Sequence, residues 1–444
     1  MGSDNDIPVA CSAPGKVLFT GGYLVLDRQY TGLVFGLDAR IYVYVQALSE
    51  STSTPTLVVR SPQFQDAEWR YGYRKVEDNG GIQATQLKTA AFMRCYVLEY
   101  LKLHWPTTLG SSLFTIWADK DYYSTPGMPK GRFVDFKVPL HEAHKTGLGS
   151  SAALVTAFTA ATLAYYLPPD IFSLASGNGR TKLHNLAQAA HCSAQGKVGS
   201  GFDVAAAAYG SCVYRRFSPK VLEEIGEPGE PGFSTRLRAV TDDTSPHQKW
   251  DTSIDEAAAI VPKGLLLVMC DVDCGSETVG MVKKVLNWRK ERPEEATPLW
   301  SDLQRANENL GQQLRSIAST PTSSGIQSLR TIILTIRSLI RQMSVKAGVP
   351  VEPPVVTALI DACSDLPGVV GGMVPGAGGY DAVALLVEDK EEALSGLQEF
   401  LARYRSEGNE NDGGRIGKVR LLGVKQEHEG VRMEDVGHNA LADI

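Results

Sequence analysis

Residues Lys145-Thr-Gly-Leu-Gly-Ser-Ser-Ala-Ala153 place two glycines and a pair of hydroxyls between a β-rich segment and a long alanine-rich helix. Gly147 and Gly149 let the backbone turn tightly and come close to a ligand. Ser150, Ser151 and Ala152 then offer unpaired N–H groups at the helix start, where the positive end of the helix dipole favours an anion. The loop reads as a phosphate cradle. Alone it also satisfies Gly-x-Gly-x-x-Ala, the relaxed dinucleotide fingerprint, with Asp170 at the distance of a ribose-binding acid. That fingerprint belongs on the first strand of a βαβ unit, whereas 146 residues precede Gly147 and Pro168-Pro169 occupy the place of the second strand. No Walker loop is present.

Working outward, Lys16 to Phe19, Tyr23 to Leu26 and Ile41 to Val45 read as strands, Lys88 to Leu103 as a helix and Phe133 to Leu140 as an alternating strand. Ser151 to Leu167 and Arg180 to Gln195 read as helices packed against the sheet, ending at Pro168 and Gly196. From Ser218 to Asp255 prolines, glycines and acids mark a surface excursion. Beyond it, Gly264 to Cys270, Val369 to Val374, Ala382 to Val387 and Lys418 to Lys425 read as strands, and Glu277 to Arg289, Ile326 to Ala347 and Lys390 to Tyr404 as helices. The pattern is α+β.

A chain of 444 residues exceeds the usual size of one hydrophobic core, so two domains are expected. The division places an N-terminal domain at 1–225, a linker or surface insertion at 226–258 and a C-terminal domain at 259–444. No apolar run is long enough to span a bilayer, and Met1 to Ile7 lack signal-peptide character. Seven scattered cysteines suit reduced thiols, and with these features a cytoplasmic protein is expected. A net charge of −6 argues against nucleic acid as a partner. Any phosphate site must then be locally basic.

Three further blocks carry candidate chemistry, each with a plainer reading. Lys16 follows the Pro14-Gly15 turn, where a lone lysine is commonly a solvated strand-edge residue. Gln195-Gly-Lys-Val-Gly-Ser-Gly-Phe-Asp203 combines glycines, a lysine and an acid that by itself caps the following helix. Near a phosphate the same carboxylate holds Mg²⁺ or orients a nucleophile. Val374-Pro-Gly-Ala-Gly-Gly-Tyr-Asp381 is, alone, a turn.

Together, Ala13-Pro-Gly-Lys16, Gly147-Leu-Gly-Ser-Ser-Ala-Ala153 and Gly376-Ala-Gly-Gly379 resemble, in order and spacing, the three motifs of the GHMP small-molecule kinases. The match spans the whole chain. Gly21 to Leu26, Lys145 to Gly147, Ala194 to Asp203, Gly275-Ser-Glu-Thr278 and Gly348-Val-Pro-Val-Glu-Pro-Pro354 look most like the fungal and plant members acting on 5-phosphomevalonate. The resemblance implies a two-domain α+β GHMP kinase fold with the active site in the interdomain cleft. It further implies transfer of the γ-phosphoryl of ATP to 5-phosphomevalonate, with Mg²⁺ as cofactor, on the mevalonate route to isoprenoids and sterols. Departures are Ala143, where many members have proline, and His191, where mevalonate kinases carry a magnesium-binding glutamate; His191 reads as a helix-packing residue.

By the same resemblance Lys16 stabilises the transferring group, and Asp203 positions Lys16 and the acceptor and is a candidate base. Gly147, Leu148, Gly149, Ser150, Ser151 and Ala152 hold the nucleotide phosphates, and Ser151 ligates the metal. Lys145 and Lys197 are candidates for the acceptor phosphate, with Tyr23 and Ser200 beside them and Gly376, Ala377 and Gly378 closing from the second domain. The expected partners are ATP and phosphomevalonate, with no nucleic acid and no membrane; monomer and homodimer are both open. The rival readings are another kinase of the same fold, such as one acting on mevalonate, and a ligand sensor that has lost catalysis.

Overall fold

The computed structural model describes residues 7–48, 56–75, 82–86, 92–102, 110–124, 131–273, 280–406 and 415–436. The long antiparallel pair β1 (Val9–Thr20) and β2 (Gly32–Ala47) is the spine of the first sheet. β3 (Thr56–Arg60), β4 (Glu68–Lys75) and β5 (Ile82–Gln86) extend it, followed by α1 (Phe92–Lys102) and β6 (Ser112–Ala118). The strand order runs β6-β3-β4-β5 outward from β2, with β3 and β6 parallel. Next come α2 (Ser150–Tyr166), α3 (Gly177–Gln195) and α4 (Phe202–Tyr209), then β7 (Cys212–Arg215), α5 (Lys220–Glu223), α6 (Phe233–Thr241) and β8 (Ser253–Asp255).

The β1–β2 register shifts between Pro14 and Gly15, where proline has no N–H to give the ladder. This irregularity re-aims the strand just before Lys16. α2 is apolar around most of its circumference because it is enclosed: it lies on β1 and β2 with α3 and α4 beside it. Its alanines and threonines allow that close approach.

The second sheet contains β9 (Leu265–Asp273), β10 (Val369–Met373), β11 (Ala382–Glu388) and β12 (Lys418–Leu421) in the antiparallel order β10-β11-β9-β12. Its helices are α7 (Met281–Glu291), α8 (Pro293–Ser319), α9 (Ser323–Ala347), α10 (Pro354–Ser364) and α11 (Glu391–Arg403). The chain then returns to the first sheet, where β13 (Gln426–Glu427) pairs with β2 and β14 (Arg432–Glu434) with β1. Arg40, 1% exposed, is satisfied there by the carbonyls of Glu429, Gly430 and Ser12.

Several sequence expectations change. Tyr23 to Leu26 is not a strand: Leu24–Leu26 forms one 3₁₀ turn. Phe133 to Leu140 is irregular, its apolar positions filled by packing: Phe136 stacks on Phe64 at 4.8 Å while Gln63 supplies backbone partners. α3 rests on α1, α2 and α4 rather than on the sheet. The 218–255 stretch is no surface excursion, nor is 226–258 a bare linker: Val221, Ile225, Phe233, Leu237 and Val240 are buried, and β8 pairs with β7. Gly275 to Thr278 and the first residues of the helix expected from Glu277 lie outside the described residues.

Candidate active site

Lys16 stands where three elements meet. Its backbone N–H donates to Leu148 O at 2.9 Å and its Nζ donates to Gly147 O at 3.0 Å, tying β1 to the phosphate loop. Nζ also lies 5.6 Å from the centre of the Phe202 ring, within cation–π range. Burial lowers the pKa of this lysine, and the Asp203 carboxylate opposes the shift. The glycines follow from this packing. Gly147 and Gly149 have φ of 77° and 83°, and a Cβ on Gly149 would lie 2.8 Å from Lys16 Cε.

Two helices begin here with glycine caps that provide no side-chain acceptor: α2 after Gly149 and α4 after Gly201. Both pack on β1, so Lys16 lies beside two helix N-termini whose first N–H groups and dipoles favour an anion. Asp203 sits in the first turn of α4, and its Oδ1 accepts from Val204 N–H at 3.0 Å.

His191, 3% exposed, is more than a packing residue. Its Nε2 lies 3.2 Å from Ser151 Oγ, 3.1 Å from Gln195 Nε2 and 3.9 Å from Asp203 Oδ2. The ring thus links the first turn of α2 to that of α4. Among the described residues, no group of three or more His, Cys, Asp or Glu could hold a metal unaided. Ser151 Oγ and Asp203 Oδ2 nevertheless both face the His191 ring nitrogen, at 3.2 and 3.9 Å, and a hydroxyl and a carboxylate are hard oxygen donors of the kind that suit Mg²⁺ beside phosphate oxygens and water.

At the other end of the cleft, the Gly376 turn docks on β1. Gly376 N–H donates to Leu18 O at 2.9 Å, and a Cβ on Gly22 would lie 1.9 Å from Gly376 O. Tyr23 is buried, and its hydroxyl donates to Ala377 O at 2.7 Å. That phenol is a staple between the two units, its proton committed to the turn. Lys145 and Lys197 are exposed, Lys145 bridging to Tyr123 and Lys197 following α3. Ser200 accepts from Tyr214 Oη at 2.8 Å through its carbonyl.

Sequence reading missed Phe202, the His191 linkage and Arg216. Arg216 donates to Leu26 O at 2.9 Å and to Gly199 O at 2.7 Å, pinning the loop after Lys197 to the 3₁₀ turn after Tyr23. Adjacency to Asp203 could have flagged Phe202; no motif marks Arg216.

Known proteins match the chain over its length. Residues 127–211 match the GHMP kinases N terminal domain and residues 330–406 the GHMP kinases C terminal. Phosphomevalonate kinase erg8 of Aspergillus fumigatus is 48% identical, covering 96% of each chain. The chain belongs to the phosphomevalonate kinases of the GHMP family. A phosphomevalonate kinase of Arabidopsis thaliana, named as peroxisomal, is 32% identical over 84% of this chain and 89% of its own. The phosphomevalonate kinase of Streptococcus pneumoniae, solved with phosphomevalonate and AMPPNP, shares the fold at a TM-score of 0.59 and 16% identity, covering 93% of this chain and all of its own. The two sheets and their helices are thus a GHMP kinase fold. Among the described residues of this family member, no helix is long and apolar enough to cross a membrane.

Proposed function

We propose that this kinase transfers the γ-phosphoryl group of ATP to (R)-5-phosphomevalonate, giving (R)-5-diphosphomevalonate and ADP on the mevalonate route to isoprenoids and sterols. The observation that carries the reading is Lys16, half-buried against the Gly147 loop and flanked by the glycine-capped starts of α2 and α4. The acceptor already bears a phosphate whose second pKa is about 6, so it is largely dianionic at neutral pH. A strong general base is unnecessary; the work is to hold two polyanions together.

The backbone of Gly147 to Ala152 receives the nucleotide phosphates. Lys16 lies between the anions, and Asp203 keeps it charged and aligned, its own negative charge offsetting the penalty of burying the ammonium. Ser151 and Asp203 would hold the Mg²⁺ that accompanies ATP, which supplies charge neutralisation at the phosphate oxygens. Lys145, Lys197 and Ser200 take the acceptor phosphate, and the Gly376 to Gly378 turn, stapled by Tyr23, closes the acceptor end. We assign 1–225 and 259–444 to the two units of the cleft, the returning tail joining the first. Buried free Cys11, Cys192, Cys212, Cys270 and Cys363 support a reducing compartment, and we place the enzyme in the cytoplasm, as a monomer or homodimer.

A coupled assay of ADP release with phosphomevalonate and with mevalonate tests the reading. Turnover confined to phosphomevalonate is expected. Equal or greater turnover with mevalonate overturns the acceptor assignment, and no ADP release with either would return the chain to a binding role.

A further inference from the structure

The segment between α9 and α10 has no regular structure yet is buried: Val349, Val351 and Glu352 are 4%, 2% and 4% exposed. Glu352 is the unusual member. Its side chain is fully enclosed, and Oε1 accepts from Arg337 Nη2 at 2.8 Å, Arg341 Nη1 at 2.7 Å and Thr357 Oγ1 at 3.0 Å. Arg337, equally enclosed, extends Nη1 to Asp361 at 2.6 Å. A buried ion pair of this kind is weak evidence for stability, because desolvation offsets its attraction; its better-attested use is to set register.

What it sets is visible one residue away. Val351 O accepts from Gly379 N–H at 2.8 Å and would lie 2.2 Å from a Cβ on Gly378. The next residues of that turn are Ala377, whose carbonyl takes the Tyr23 hydroxyl, and Gly376, bonded to Leu18. Tyr23, Ile340, Met343, Val351 and Gly376 also line a small cavity of about 30 Å³ at this junction.

We propose that Glu352, clamped by Arg337 and Arg341, is a positioning residue for acceptor binding: through Val351 it fixes the height of the Gly376 to Gly379 turn against β1 and Tyr23. It touches neither substrate. The inference rests on the reading that this turn closes the acceptor end.

The test is steady-state kinetics on the full chain, varying ATP and phosphomevalonate separately, for Glu352→Gln, Glu352→Asp, Arg341→Met and Gly378→Ala. Gly378→Ala displaces the turn directly and tests the underlying reading. Glu352→Gln and Gly378→Ala should each raise the acceptor KM about fivefold or more with the ATP KM within about twofold, and Glu352→Asp should recover part of the loss. Arg341→Met, which leaves the Arg337 pair intact, should act in the same direction more weakly and carries the test if Glu352→Gln does not fold. If Gly378→Ala raises the acceptor KM while Glu352→Gln and Arg341→Met leave it within about twofold, the positioning role is overturned and the reading of the turn stands. If Gly378→Ala itself leaves the acceptor KM unchanged, the turn is not at the acceptor and both fall. A loss of active enzyme with both KM values unchanged marks Glu352 as merely structural and overturns the proposal.

Discussion

Lys16 is charged only while it keeps a proton that burial discourages, and Asp203 is the group that opposes the loss. Because the folded pKa is lowered, the charged form persists below it and is lost as pH rises through it. Removing Asp203 lowers it further. The kcat/KM profile of Asp203→Asn, followed on its residual activity, should therefore show its alkaline limb at lower pH than the parent; an unmoved limb would separate Asp203 from Lys16. Lys16→Met should cut turnover by more than about tenfold, roughly 1.4 kcal/mol in barrier. His184 is likewise shifted by burial. Burial beside Trp250 and Tyr209 lowers its pKa from 6.5 to about 4, so its contribution to stability is full above 6.5 and lost as pH falls toward 4. The loss is on the order of 3 kcal/mol. Urea midpoints between pH 7 and pH 4.5 should fall less steeply for His184→Gln than for the parent.

At the scale of elements, the 226–258 stretch is where composition and packing part company. Its prolines, glycines and acids read as surface, but Phe233 of α6 is 3% exposed and meets Tyr96 of α1 edge-on at 5.3 Å. Phe233→Ala should accordingly cost about 3 to 5 kcal/mol in urea unfolding, a core value; a detachable insertion would lose far less. The helices around the phosphate loop were legible because their apolar spacing and end signals are local. Tyr23 to Leu26 was misread as a strand because its apolar run serves a single buried turn. α8 and α10 escaped notice for want of a motif to anchor them. The site divides in the same way: Lys16, Asp203 and the loop lie in compact blocks, whereas the contacts of Arg216 join residues far apart in the chain.

For the whole molecule, the returning tail matters most. β13 and β14 complete the first sheet, and their neighbouring carbonyls satisfy the buried guanidinium of Arg40. Deleting residues 425–444 would leave that charge without two of its partners. A loss of about 3 to 5 kcal/mol is expected, read as a fall in Tm with disturbance of the sheet that carries Lys16. An unchanged Tm would show the tail to be dispensable. The sequence by itself determined the α+β class, the family, and the position of the glycine loop at the start of α2, since these depend on short-range periodicity and on glycines required by local backbone geometry. Only the tertiary structure decided that the Tyr23 hydroxyl bonds to the Gly376 turn, that His191 joins Ser151 to Asp203, and that β13 and β14 belong to the first sheet. Those pairings are set by long-range burial of polar groups that must find partners, and no local pattern encodes which distant partner they find.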